Sequence, residues 1–216
     1  MNEYTILPLI NASFQPGEAK RTVAGFEDRD FQKIARAEYY YFTGQAEKCS
    51  HIAERYLMSH NIKLKMSSCL LYVYSNLTLG RAVASQKGIR EIRECLEKEI
   101  KYSSSAEDKA ISVFAGYMSS VLLHLPVDEL PDVEFYAAAL PPGIKMFSAY
   151  VTAHMAYLKG EYGRALGICE AAFMFRDGTY PISMIYLYCM MAMCQMNLKH
   201  QQKAKDALML AWNMAK

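Results

Sequence analysis

Between residues 17 and 125 the chain contains no proline. Proline removes a backbone donor and clashes with the preceding turn, so its absence leaves room there for several uninterrupted helices. Pro8, Pro16, Pro126, Pro131, Pro141, Pro142 and Pro181 punctuate the flanks of that stretch. Strict apolar–polar alternation, the mark of a half-buried strand, is missing throughout. These two absences predict an all-α chain.

An excess of one charge is missing as well. The 24 basic and 22 acidic residues leave a net charge of +2, and the densest basic stretch is the pair Lys20-Arg21. A protein that neutralises many phosphates carries a basic stripe, so direct nucleic-acid binding is not expected. Arg90, Arg93 and Lys98 alternate with Glu91, Glu94, Glu97 and Glu99, which reads as a solvated helix face with pairing along it. The six cysteines form no CxxC pair and all fall within helical patterns. They read as small buried hydrophobes with reduced thiols.

No basic region followed by a long apolar core opens the sequence, so a secretory signal is not expected and the cytoplasm is the expected compartment. Residues 178–198 carry no charge and are long enough in principle to span a bilayer. They include Thr179, Pro181, Ser183, Gln195 and Asn197, and an amphipathic pattern follows at once. A buried helix is the expectation, with no membrane partner.

Catalytic signatures are missing too. There is no Gly-rich phosphate loop, no HExxH and no GxSxG. His51, His60, His124, His154 and His200 give no i,i+4 pair, and Cys49 and His51 diverge around a helix. The chain is therefore read as non-enzymatic, with no catalytic residue, no cofactor and no metal site.

What the chain does have is a 52% hydrophobic composition, 14 Met and 16 Tyr, enough for a large helical core. It also has a small residue that recurs early in amphipathic helical stretches. Cys49, Gly88, Ala165 and Ala204 follow one another at 39, 77 and 39 residues. A repeat of this length, with small residues where helices touch, is the mark of stacked helix pairs. The clearest copy spans residues 146–175, with a turn at Gly160-Glu161-Tyr162 and Ala165 and Ala172 on one face of its second helix. Others span residues 30–57, 69–100 and 185–216. A further copy starts at Ser105 with Asp108 three residues on, but Pro126 and Pro131 interrupt its second half. Only a short turn of helix near residues 133–140 fits there. The expectation is an α-α superhelix of about five pairs over residues 30–216, with the third pair degenerate. Residues 1–29 form an N-terminal extension or partial helical cap.

Tyr157-Leu-Lys-Gly160-Glu-Tyr-Gly-Arg-Ala165-Leu with Ala172, and Tyr40-Tyr-Phe-Thr-Gly44-Gln-Ala-Glu-Lys with Tyr56, resemble tetratricopeptide repeats. The match runs over residues 30–216, with copies longer than the usual 34 residues and with Cys49 and Gly88 in place of a usual Ala. The longer, degenerate style is similar to the MalT-like repeat domains of bacterial LuxR-type transcriptional regulators. The resemblance implies a right-handed superhelix that senses a ligand or partner, with DNA bound by a separate helix-turn-helix that is not in this chain.

The resemblance also implies that the first helix of each pair lines a concave groove. The candidate contact residues are then Phe147, Tyr150, His154 and Tyr157, with Tyr186, Cys189, Met193 and Met196 beyond them. Phe31, Ile34, Glu38 and Tyr41 line the first pair, and Leu70, Val73 and Leu77 the second. Such a lining suits an apolar peptide segment, a partner helix or an apolar small molecule; alternatively, a tightly wound array packs these side chains on each other. The leading expectation is the sensory part of a LuxR-type regulator, and the alternative is a free-standing scaffold for protein–protein interaction. Trp212, Leu208 and Met209 near the last residue add a route to a homodimer.

Overall fold

The computed structural model describes residues 4–124, 131, 133–174 and 178–216, and every regular element among them is helical. The helices are α1 (Ala19–Ala24), α2 (Arg29–Phe42), α3 (Ala46–Glu54), α4 (Ile62–Thr78), α5 (Ala82–Tyr102) and α6 (Ala106–Leu122). A short α7 (Val133–Tyr136) runs into a 3-10 turn (Ala137–Ala139), followed by α8 (Pro142–Leu158), α9 (Tyr162–Met174), α10 (Pro181–Asn197) and α11 (Gln201–Ala215). Leu125, Pro126 and Phe175, which bear on the expected third and fourth copies, lie outside the described residues.

Local chemistry sets where these helices begin. The Asp28 carboxylate accepts the amides of Asp30 and Phe31 at 2.8 and 3.1 Å, and Asn61 does the same for Lys63 and Leu64. The Ser105 hydroxyl accepts from Asp108 N at 3.1 Å, as the sequence spacing predicts. Each bond satisfies an amide that a helix start leaves without a partner. Pro142 and Pro181 open α8 and α10, where the missing N–H is not needed.

The ends follow one pattern. Gly44, Gly80, Gly160 and Lys199 stand just past α2, α4, α8 and α10 in the left-handed region, at φ of 75, 71, 79 and 66°. In each case the next amide bonds back to a carbonyl five residues earlier: Gln45 to Tyr40, Arg81 to Asn76, Glu161 to Ala156 and His200 to Gln195. This is the Schellman arrangement, which suits glycine because it has no Cβ.

The packing then alternates. Among themselves, α2, α4, α6, α8 and α10 form a continuous row, each resting on the next, while α3, α5, α7, α9 and α11 each lie against the helix before them. The first row is buried over much of its length and holds most of the core, including Ile34, Leu70, Ile111, Phe114, Ile144, Phe147 and Leu187. The second row buries one stripe only. That stripe contains the recurring small residues: Cys49, Gly88, Ala165 and Ala204 are all buried. At Gly88 a Cβ would stand 2.7 Å from Val73 Cγ2 and 3.1 Å from the Cys69 carbonyl oxygen. Val73 therefore faces α5 rather than the groove to which the periodicity assigns it. No helix among the described residues is long and apolar enough to cross a membrane.

Gly88→Ala should lower stability by about 1–3 kcal/mol through overpacking, offset in part by Ala's better helix propensity. Gly163→Ala is the control, since it sits in α9 with nothing within 4 Å of its Cβ position. It should gain up to ~1 kcal/mol from propensity alone. Urea midpoints of the two variants test this, and equal gains in both would mean that α4 and α5 do not touch at residue 88.

Candidate binding groove

Phe147, Tyr150, His154 and Tyr157 follow one another on α8 at helical spacing, and Tyr186 and Met193 stand on the neighbouring α10. Phe147, Tyr150 and Tyr186 converge, with ring centroids 5.0–5.3 Å apart. The cluster continues through Phe42, 6.2 Å from Tyr186, to Tyr41 and Tyr74 on α2 and α4. In the other direction the Tyr150 hydroxyl lies 3.3 Å from His154 Nδ1, and the His154 ring is 6.5 Å from that of His124. Tyr157 and Met193 do not join this cluster. Tyr157 packs on Tyr162 at 5.2 Å and accepts a hydrogen bond from Asn197 Nδ2, and Met193 is 41% exposed.

Burial fixes the protonation of this surface. It pushes the Tyr150 phenol up to about 12 and raises Tyr41, Tyr74 and Tyr186 as well. These hydroxyls therefore remain donors at neutral pH. Burial, with His124 adding to it, lowers His154, which favours the neutral imidazole.

Part of the candidate face is covered by the chain itself. Residues 5–12 are buried against the first row of helices. Leu7 takes a left-handed conformation at φ 45°, and a single turn follows, closed by Asn11 N–H to Leu7 O and Ala12 N–H to Leu9 O. Pro8 opens this turn, so the amides left without partners are those of Leu9 and Ile10. Glu38 on α2 takes both, Oε1 from Leu9 and Oε2 from Ile10, each at 3.0 Å. Ser67 Oγ on α4 accepts the Leu7 amide at 2.8 Å, and Lys63 Nζ donates to the Tyr4 carbonyl. On the far side Asn11 Oδ1 accepts the Gly143 amide at the start of α8 at 2.9 Å. Phe14 N–H donates to Thr179 O, and Thr179 N–H to Ser13 Oγ. The approach to α8 is close: a Cβ on Gly143 would lie 2.6 Å from Asn11 Cα and 2.8 Å from Ile10 O.

Glu38 is completely buried, and its carboxyl is pushed up to about 8 by burial, against the lowering pull of the two amide bonds. Cys49 faces it from α3; its thiol is pushed up to about 12, chiefly by burial, with a smaller contribution from Glu38. The tetratricopeptide resemblance placed Glu38 on the groove face but gave it no partner. The missing signal was the uncharged run Thr5-Ile6-Leu7-Pro8-Leu9-Ile10, too apolar to be left in water. A second hollow of about 540 Å³ opens where the outer row is thin, between the 3-10 turn, α8 and α9. Leu140, Met146, Ile168 and Tyr180 line it, with Lys145 as its charged side chain among the described residues.

Among the described residues no group of three or more His, Cys, Asp or Glu side chains is placed to hold a metal ion. No family model, no curated protein and no solved structure matches the chain.

Folding raises Glu38 from 4.5 to about 8, so the folded chain holds a proton that the unfolded chain releases. This contribution is complete below pH 4.5, declines as pH rises and is gone above about 8. In Glu38→Gln the amide nitrogen meets one of the two N–H donors. The variant should be less stable at pH 5 by about 1–3 kcal/mol. The gap between wild type and variant should then shrink toward pH 8. Thermal midpoints of both proteins across pH 5–8 measure it; referring each to the other removes the opposing contribution of His154. A gap that does not change with pH would mean that Glu38 is ionised throughout.

Proposed function

We propose that the chain is a non-enzymatic binding module: a right-handed superhelix of five tetratricopeptide-like helix pairs, the third degenerate, whose concave face contacts a protein or ligand. The observation that carries this reading is the groove itself. It already holds a peptide turn in an apolar, aromatic bed, with side chains of α2 and α4 accepting that turn's amides and the Gly143 amide of α8 reaching its Asn11 side chain. The two-row packing, and the left-handed residue that follows α2, α4, α8 and α10, support the repeat architecture.

The mechanism is a population shift. Residues 7–11 bond α2 and α4 early in the row and α8 late in it, so occupancy of this face is tied to the array's curvature. A ligand that prefers one curvature changes what the module presents to its neighbours. On this reading the chain is the cytoplasmic sensory part of a LuxR-type transcriptional regulator, the DNA being bound by another module.

One observation favours the second reading, a protein scaffold. Leu208, Met209, Leu210 and Trp212 on α11 are all at least half exposed, Trp212 to 62%. One repeat earlier, Phe173 on α9 stacks on Tyr188 of α10 at 4.6 Å. Trp212 stands at the corresponding place, 39 residues on, and offers that face to a further helix or to a second copy.

The mass of the protein in its source cells separates the two readings. The regulator reading expects a mass above 24.5 kDa by about the size of a helix-turn-helix module. A mass equal to 24.5 kDa removes the regulator and leaves the scaffold. In either case Tyr157→Ala and Tyr186→Ala should weaken the partner's affinity by about tenfold or more, read by titration calorimetry. Unchanged affinity in both would move the contact surface off the concave face.

A further inference from the structure

We infer that the end of the groove around Glu38, Ser67 and Gly143 is a recognition site for a proline-initiated apolar turn supplied by a partner protein, and that residues 4–14 occupy it as an exchangeable internal ligand. This inference rests on the binding-module reading and names the chemistry that the module takes.

The apolar side chains of Ile6, Leu7, Leu9 and Ile10 join the core, and the polar contacts of the segment are of the kind that recognises a peptide. Glu38 and Ser67 bond main-chain amides of the segment, at Leu9, Ile10 and Leu7, while Leu7 and Ile10 place their side chains in the aromatic cluster beside Phe42, Tyr74 and Tyr186. Backbone bonds supply affinity and the side-chain pockets supply selectivity, as in other modes of peptide capture. Glu38 adds a geometric requirement. Both of its oxygens are used by two successive amides, an arrangement offered by the first turn after a proline. Gly143 adds a second one, because its missing Cβ is the space through which the Asn11 backbone passes.

The segment is also separable. The helices of the first row rest directly on one another as well as on residues 5–12, so the segment is not their sole packing partner. The link to α1 passes through Gln15, Pro16 and Gly17, with Gln15 and Gly17 exposed and Gly17 at φ 85°. Leu7 sits in a backbone region that L-residues with a side chain rarely adopt, which favours release. A partner segment with the pattern apolar–Pro–apolar–apolar–Asn would make the same bonds.

Hydrogen exchange on the wild-type chain gives the first test. The Leu7, Leu9 and Ile10 amides should exchange at least about 100-fold faster than those of Ile111–Ala115 in α6, by opening of the segment alone. Equal rates would make the segment a fixed part of the core and overturn the inference.

The second test uses a fluorescent peptide of residues 4–14 and a full-length Leu9→Asp chain, whose own segment would have to carry a carboxylate into the buried place of the Leu9 side chain. The peptide should bind this chain saturably and raise its melting temperature. It should bind the wild type at least about tenfold more weakly, because the tethered segment competes. Adding Gly143→Ala should abolish binding. A folded Leu9→Asp chain that ignores the peptide overturns the inference, as does one that no longer folds. A concentration-dependent wild-type dimer that the peptide dissolves would overturn the partner assignment in favour of exchange between copies. Should the peptide fail while Tyr157→Ala and Tyr186→Ala still weaken partner binding, the binding module stands and only this site falls.

Discussion

A carboxyl group with no exposure to water is unfavourable unless its oxygens are used, and Glu38 uses both on the amides of Leu9 and Ile10. The contacts of residues 4–14 are arranged around that requirement. The turn after Pro8 exists in a form that presents two free amides, Leu7 and Ile10 then reach the aromatic cluster, and Asn11 is carried on to the start of α8. One buried acid on α2 thus helps to fix where an irregular segment crosses to α4 and α8. Burial and the two amide bonds act on it in opposite directions, and burial is the larger influence.

The helical frame has a different basis, which is close approach. Cys49, Gly88, Ala165 and Ala204 let the second helix of a pair lie close to its partners, and Gly88 does so with no room for a methyl group. The left-handed residues after α2, α4, α8 and α10 reverse the chain in one step. Three of these four are glycines; the fourth, Lys199, makes the same turn with a side chain. The frame therefore tolerates a departure in turn chemistry, but not in the spacing of the touching faces.

These two foundations were not equally legible in the sequence. Periodicity, small residues and Gly44 and Gly160 mark the helices and their turns, because each of these is a local property. Ser105 with Asp108 marks the start of α6 for the same reason. The aromatic cluster was legible in part: Phe147, Tyr150 and Tyr186 meet, while Tyr157 turns to Tyr162 and Asn197. Val73 was assigned to the wrong face because a long helix touches neighbours on two sides and periodicity alone does not say which side is which. The segment of residues 4–14 was not legible at all as an occupant of the groove. Its partners Ser67, Gly143 and Thr179 lie far along the chain, and neither a helical nor a strand period announces it.

The thin place in the outer row gives the arrangement a mechanical character. Among the described residues α5 and α9 are long, while between them stand only α7 and a 3-10 turn beside a hollow of about 540 Å³. The second row is at its weakest point there, and the contact of α6 with α8 has the thinnest backing. The N-terminal segment is fastened to α2 and α4 on one side of that weak point, and to α8 and Thr179 on the other. It is a second strap across that gap, beside the contact of Phe42 on α2 with Tyr186 on α10, so the two sides are held by main-chain hydrogen bonds as well as by aromatic packing.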